Sequence, residues 1–303
     1  MMPELRDRCL GALVGLACGD AVDTTVEFKS RGSFPPVTDM VGGGPFGLAV
    51  GEWTDDTSMA LCMAESLVER GGFDAADQMS RYVRWWKQGH LSATGRCFDI
   101  GGTTRAALQR FVDTNDPFAG STHPHSAGNG SLMRLAPVVL FFHPDSAQVR
   151  HYAGESSRTT HAAPEAIECC RLFAAMLDAT LAGAKREAIL TGHGYAPTEP
   201  KVADIAGSGY VGKSVSEVEG SGYCVESLEA ALWCFRSTES FRDAVLKAAN
   251  LGHDADTTAA IVGQIAGAHY GIDGIPPQWR AKLALSHRIE ELAVALAVQR
   301  GAG

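Results

Sequence analysis

The sequence contains no run of about 18 apolar residues, the length needed to span a bilayer. Its longest apolar stretch runs from Leu135 to Phe142 and is interrupted by Pro137. The start, with Glu4, Arg6, Asp7 and Arg8, lacks the charge order and apolar core of a signal peptide. A soluble cytoplasmic protein without a membrane partner is expected. Positive charge is also scarce. Lys and Arg number 26 against 35 Asp and Glu, for a net charge of −9. No dense basic cluster interrupts that balance, which argues against general nucleic-acid binding. The eight cysteines form no C-x-x-C pair and fall mostly in apolar, helix-like stretches. Buried free thiols are expected, rather than zinc ligands or disulfides.

Strand patterning is poor as well. Few segments alternate apolar and polar residues over more than four positions, and no strand–Gly-loop–helix unit is found. A dinucleotide-binding sheet is thereby disfavoured. Helical spacing is what remains. Leu5, Cys9, Leu13 and Leu16 form one apolar stripe, and Met59, Met63 and Leu67 another. Asp74 predicts an N-cap for a helix through Trp85 and Trp86 that ends at Gly89. Asp145 predicts a cap for a helix towards Ser157, and residues 164–181 a long Ala-rich helix stopped by Gly183. Further helices are expected near 226–235, 241–251 and 257–270, with a last one after Pro276-Pro277 reaching about Val298. Residues 28–52, 115–130 and 192–222 read as non-helical. Connections of that length in a helical domain are usually functional or mobile. The expectation is an all-α fold, a single domain over residues 1–303, and a monomer.

Two acidic clusters each precede an apolar helical run. The first is Trp53-Thr54-Asp55-Asp56-Thr57, the second Gly252-His253-Asp254-Ala255-Asp256-Thr257-Thr258. Either alone is accounted for by helix capping, since Asp and Thr satisfy free N–H groups and suit the helix dipole. Together they offer more than caps need. Four carboxylates with flanking hydroxyls are hard oxygen donors suited to Mg²⁺ or Mn²⁺. If the helix starts meet, the carboxylates repel one another unless a cation intervenes. Asp254, Asp256 and Thr258 also match the D-x-D-x-T motif of haloacid-dehalogenase-like phosphatases. That motif follows a strand early in an α/β chain, whereas this one follows a helical stretch late in the sequence.

The two clusters resemble the signature of the ADP-ribosylglycohydrolases. So does an ordered set of further segments: residues 10–21, Val26-Glu27-Phe28, Asp99-Ile100-Gly101, residues 126–134, Thr160-His161, Ser221-Gly222-Tyr223 and Ala268-His269-Tyr270-Gly271. The set spans about residues 5 to 285. The resemblance implies orthogonally packed helices around a central dinuclear-metal cleft. It implies two Mg²⁺ or Mn²⁺ ions held by Thr54, Asp55, Asp56, Asp254, Asp256 and Thr257. The implied reaction is hydrolysis of the glycosidic bond between ADP-ribose and a modified acceptor, with protein arginine favoured over serine, nucleic acid or a small guanidine. The implied substrate is an ADP-ribosylated protein or small molecule.

Such a bond breaks through an oxocarbenium-like state, so the site must stabilise positive charge and deliver water to one face. Asp55 or Asp56 is the expected proton acceptor, with Glu27 and Asp99 as further acid–base or ribose-positioning groups. The segment from Ser126 through Gly128, Asn129, Gly130 and Ser131 is expected to hold the diphosphate, helped by a helix starting near Ser131. Gly101 and Met133 join the substrate-binding set by motif. His161 would donate a hydrogen bond near the phosphates, and Tyr223 either stacks on adenine or packs in the core. Two positions depart from the pattern. His253 stands where relatives usually carry Gly, which places it beside the expected ions or the acceptor. Asp23 is either a second acidic group at the cleft or a solvated turn. A non-catalytic ADP-ribose-binding relative and the phosphatase are the competing readings.

Overall fold

The computed structural model describes residues 4–252 and 255–298; the side chains of residues 255 and 256 also lie outside the described set. Fourteen α-helices follow one another among these residues, with isolated bridges and no β-strand. Helix α1 (Leu5–Asp23) is followed by α2 (Asp55–Arg70), which begins in the first acidic cluster. In α3 (Ala75–Gln88), Asp74 accepts from the Asp77 N–H, and Gly89 closes the helix in the left-handed region. Next come α4 (Gly102–Thr114), α5 (Ala136–Phe142) and α6 (Ser146–Arg158), the last capped by Asp145 as its sequence predicts. The Ala-rich segment is α7 (Pro164–Leu181), followed by α8 (Arg186–Thr191) and α9 (Pro200–Ala206). Then come α10 (Cys224–Arg236), α11 (Phe241–Ala249), α12 (Ala255–Tyr270), α13 (Pro277–Lys282) and α14 (Ser286–Val298). All eight cysteines are free and seven are buried. No helix among the described residues is long and apolar enough to cross a membrane.

Four expectations need correction. The expected last helix is two, α13 and α14. The chain between them is tied to a distant loop: the Ala284 N–H donates to Gly51 O at 2.9 Å, and Ala284 O accepts from Trp53 Nε1 at 3.1 Å. Residues 192–222 contain α9, whose Pro200 sits at the first helical turn. The helix expected near Ser131 begins at Ala136. Residues before it form turns, and Gln264 Oε1 caps the Ala136 N–H at 2.8 Å. Finally, α1 carries no single apolar stripe. It is buried on every side from Gly11 to Asp23, while Leu5 is exposed.

The reason for that burial is backbone packing against α12. Gly11, Gly15 and Gly19 recur every four residues and so share one face of α1. A Cβ on them would lie 2.1 Å from Gly267 O, 2.3 Å from Gly263 O and 2.1 Å from Ala259 O. The two central helices therefore meet without intervening side chains. This contact runs antiparallel, so the start of α12 lies beside the end of α1. Replacing Gly15 by Leu should destabilise the fold by about 3 kcal/mol or more, because neither backbone can retreat from its packed core. Chemical denaturation of the variant checks this.

Candidate active site

The end of α1 also fixes the start of α2. Asp20, fully buried, accepts four hydrogen bonds. Its Oδ1 takes the Thr54 N–H (2.8 Å) and hydroxyl (2.9 Å), and its Oδ2 the Thr57 N–H (3.0 Å) and hydroxyl (2.6 Å). This one carboxylate serves as cap for α2, whose own N-cap Thr54 makes no side-chain cap bond. Asp55 and Asp56 form the first turn of the helix so anchored. They project into a cleft of about 380 Å³ that Thr257, from the first turn of α12, also lines. The helix starts carrying the two acidic clusters thus meet in space. Asp23 is fully buried at the end of α1, so it is no solvated turn.

Glu27, Asp99, Gly101, Gly128, Asn129, Gly130, Met133 and His161 complete most of the cleft wall. Four carboxylates therefore share the chamber, and among the described residues no Lys or Arg lines it. Burial, followed by the neighbouring charge and hydrogen bond of Asp99 and the charges of Asp55 and Asp20, pushes Glu27 up to about 10. The surroundings of Glu27 therefore favour its protonated form, with Asp99 as its hydrogen-bond partner. Carboxylates gathered in this way present the hard oxygen donors that suit Mg²⁺ or Mn²⁺. Within the described residues no three Asp, Glu, His or Cys groups converge closely enough to hold an ion by themselves. His253, Asp254 and the Asp256 side chain, all members of the expected second cluster, lie outside those residues. Thr54 is fully buried and its hydroxyl donates to Asp20.

The Gly-rich loop is clamped from two sides. Asn129 N–H donates to Gly222 O, and the Cys224 N–H to Ala127 O. The Gly128 N–H is bonded to Ser126 O. The N–H groups of Gly128 and Asn129 are thus spent inside the protein. The two glycines make room for His161, since a Cβ on Gly130 would lie 2.7 Å from its Cε1 and one on Gly128 3.3 Å from its Nε2. Burial first, and then the charge of Arg134, lowers His161 to about 3, so the ring is neutral. Arg134, fully buried, donates to Gly130 O and to Thr160 Oγ1, both at 2.6 Å. Thr160 Oγ1 lies 2.9 Å from His161 Nδ1. Arginine can only donate, so the Thr160 proton is available to Nδ1 and the ring proton to Nε2, the atom facing the glycines.

Ser131 is buried, 2.8 Å from the Ser157 hydroxyl. The positive helix end expected there is supplied elsewhere. Gly101, Gly102, Thr103 and Thr104 line the cleft at the start of α4, where no side chain caps the helix. Through Thr103, Gly128 and Gly222 the cleft continues into a second chamber of about 670 Å³, lined also by Ser126 and Tyr223. Tyr223 is half-buried there. Its hydroxyl donates to Glu165 Oε2 (2.5 Å) and accepts from Lys201 Nζ (2.9 Å).

A sequence profile of the ADP-ribosylglycohydrolase family matches residues 1–302. The chain belongs to the ADP-ribosylglycohydrolase family. It is 49% identical over 288 residues to the ADP-ribosylarginine hydrolase Tri1 of Pseudomonas putida (strain GB-1), covering 95% of this chain and 77% of that one. It is 32% identical to the ADP-ribosyl-[dinitrogen reductase] glycohydrolase of Rhodospirillum rubrum, covering 93% and 92%. A solved chain from an ADP-ribosylglycohydrolase-related protein complex superposes with a TM-score of 0.84 at 44% identity, covering 98% of this chain and 99% of that one. This ADP-ribosylglycohydrolase is accordingly an enzyme, a hydrolase of ADP-ribosylated substrates. Asp20, Arg134 and residues 102–104 at the start of α4 are site components that the sequence reading did not assign; Gly101 beside them was assigned. Asp20 and Arg134 sit in motif segments, and a charged residue among small and apolar neighbours was the available signal.

Proposed function

We propose that this enzyme releases ADP-ribose from modified arginine, using divalent cations held between the starts of α2 and α12. The observation that carries the reading is the convergence of Asp55, Asp56 and Thr257 on one carboxylate-lined cleft. Thr54, Asp55, Asp56, Asp254, Asp256 and Thr257 would hold two Mg²⁺ or Mn²⁺ ions, which when bound supply Lewis-acid charge to orient ribose hydroxyls and a water. The chain's own groups do the rest. Asp55 or Asp56 accepts the proton of the water that attacks the anomeric carbon. The anomeric C–N bond breaks with its electron pair moving to the guanidine nitrogen. Glu27, beside Asp99 in surroundings that favour its protonated form, is the group placed to supply a proton to that nitrogen.

The α4 start and the His161 Nε2–H lie between the two chambers and suit the diphosphate. The larger chamber then takes the adenosine, with Tyr223 on its wall. Tri1 of P. putida and of Serratia proteamaculans (strain 568), at 49% and 44% identity, are named for the arginine linkage, which favours this acceptor. Incubating the enzyme with arginine-ADP-ribosylated protein should release ADP-ribose. A chelator should stop the release, and Mg²⁺ or Mn²⁺ should restore it. Binding of ADP-ribose without release would instead mark a non-catalytic relative.

A further inference from the structure

One aromatic ring lines the carboxylate chamber and two more extend from it in contact, and no role given above uses them. Phe28 lines the chamber yet is 65% exposed. It follows Glu27 directly, and its φ of 62° lies in the left-handed region that bulky side chains avoid. Asp99, with φ 56°, shares that conformation and follows Phe98. The ring of Phe28 meets Phe46 edge-on at 6.4 Å, and Phe46 meets Phe98 at 5.2 Å.

The arrangement is built by backbone. Phe46 sits in a tight hairpin closed by paired bonds between Gly43 and Leu48, at 2.8 and 2.9 Å. That hairpin is seated on the end of α1. The Thr25 hydroxyl donates to Gly42 O, and a Cβ on Gly44 would lie 1.9 Å from Thr24 O. Strained backbone in such a place marks a functional demand, because an exposed ring contributes little to the core. An edge-on contact leaves at least one face of Phe28 to a ligand. The chamber beneath it holds four carboxylates and attracts cations.

We propose that Phe28, backed by Phe46 and Phe98, is the acceptor platform of this enzyme: its ring takes the planar, cationic guanidinium of the arginine that carries ADP-ribose. A cation over an aromatic face is attracted by the ring quadrupole, and a guanidinium also stacks flat on it. Phe28 thereby sets the preference for arginine over an uncharged acceptor. The inference rests on the arginine reading above and names the residue that enforces it.

The test uses the Mn²⁺-loaded enzyme and the variants F28L and F28W, which keep apolar bulk and the same backbone demand. Steady-state release is measured on arginine-ADP-ribosylated protein, and binding of free ADP-ribose by calorimetry. F28L should raise KM roughly tenfold, the scale of one partly desolvated cation–π contact. Its kcat should stay within about twofold, because the platform binds ground and transition states alike. F28W should match the wild type, and free ADP-ribose, which lacks the guanidinium, should bind all three equally. If F28L matches the wild type, or loses ADP-ribose affinity as much as KM, the platform is overturned while the arginine reading stands. If the wild type releases nothing from arginine, that reading falls and takes the platform with it.

Discussion

Asp56→Asn should lower kcat by at least about a thousandfold, the range expected when a positioned proton-transfer group is lost. Its thermal midpoint without metal should equal or exceed that of the wild type. Asp56 is 1% exposed in a chamber with three other carboxylates. Removing one negative charge there relieves repulsion, whereas removing a structural carboxylate would cost stability. The same variant should lose most of the upward shift in melting temperature that Mg²⁺ or Mn²⁺ gives the wild type, since a ligand stabilises the fold in proportion to its occupancy. A variant that keeps activity within tenfold, or that melts well below the wild type in the absence of metal, would place Asp56 in the scaffold instead.

Asp20→Ala should combine a loss of stability with a loss of function. The substitution orphans two N–H groups and two hydroxyls at a fully buried helix start. Each buried donor left without a partner costs about 1–3 kcal/mol before relaxation, so about 3 kcal/mol in total is a conservative expectation. Asp20→Asn separates the two effects. An amide keeps one acceptor oxygen but turns an NH₂ group towards two further donors, so half of the α2 cap is lost while the volume is retained. Divalent-cation affinity should fall about 10–100-fold in this variant, the usual effect of losing a group that orients ion ligands. Free ADP-ribose binding at saturating metal should be little changed. Parallel calorimetric titrations with Mn²⁺ and with ADP-ribose check the split. Equal losses for both ligands would show general disordering rather than positioning.

The legible part of the fold followed local chemistry. Asp74, Gly89, Asp145 and Gly183 act within one turn of their own positions, and helices α3, α6 and α7 begin or end beside them. The illegible part depends on distant partners. Helix α4 opens on Gly101 and Gly102 with no capping side chain, so nothing local announces it. The start of α5 is set by Gln264, 128 residues away, and the break between α13 and α14 by Gly51 and Trp53. The site divides the same way. The two acidic clusters were visible as sequence, and the packing of Gly11, Gly15 and Gly19 against α12 explains why their helix starts meet. Asp20 reads as an isolated acid in an apolar helix until Thr54 and Thr57 fold onto it. The role of Arg134 emerges only as Gly130, Thr160 and the ring of Tyr82 close around it. Residues 253 and 254, with the Asp256 side chain, lie outside the described residues, so His253 and the α12 carboxylates stand as expectations from the sequence.

The proposed reaction requires a pair of cations held where α2 and α12 begin. Titration of the purified, metal-stripped enzyme with Mn²⁺, followed by electron paramagnetic resonance, tests it most directly. Two ions per chain should bind with mutual spin coupling, and Asp55→Asn together with Asp56→Asn should abolish the coupled signal. Saturation at no bound ion, or the same coupled signal in the double variant, would contradict the account.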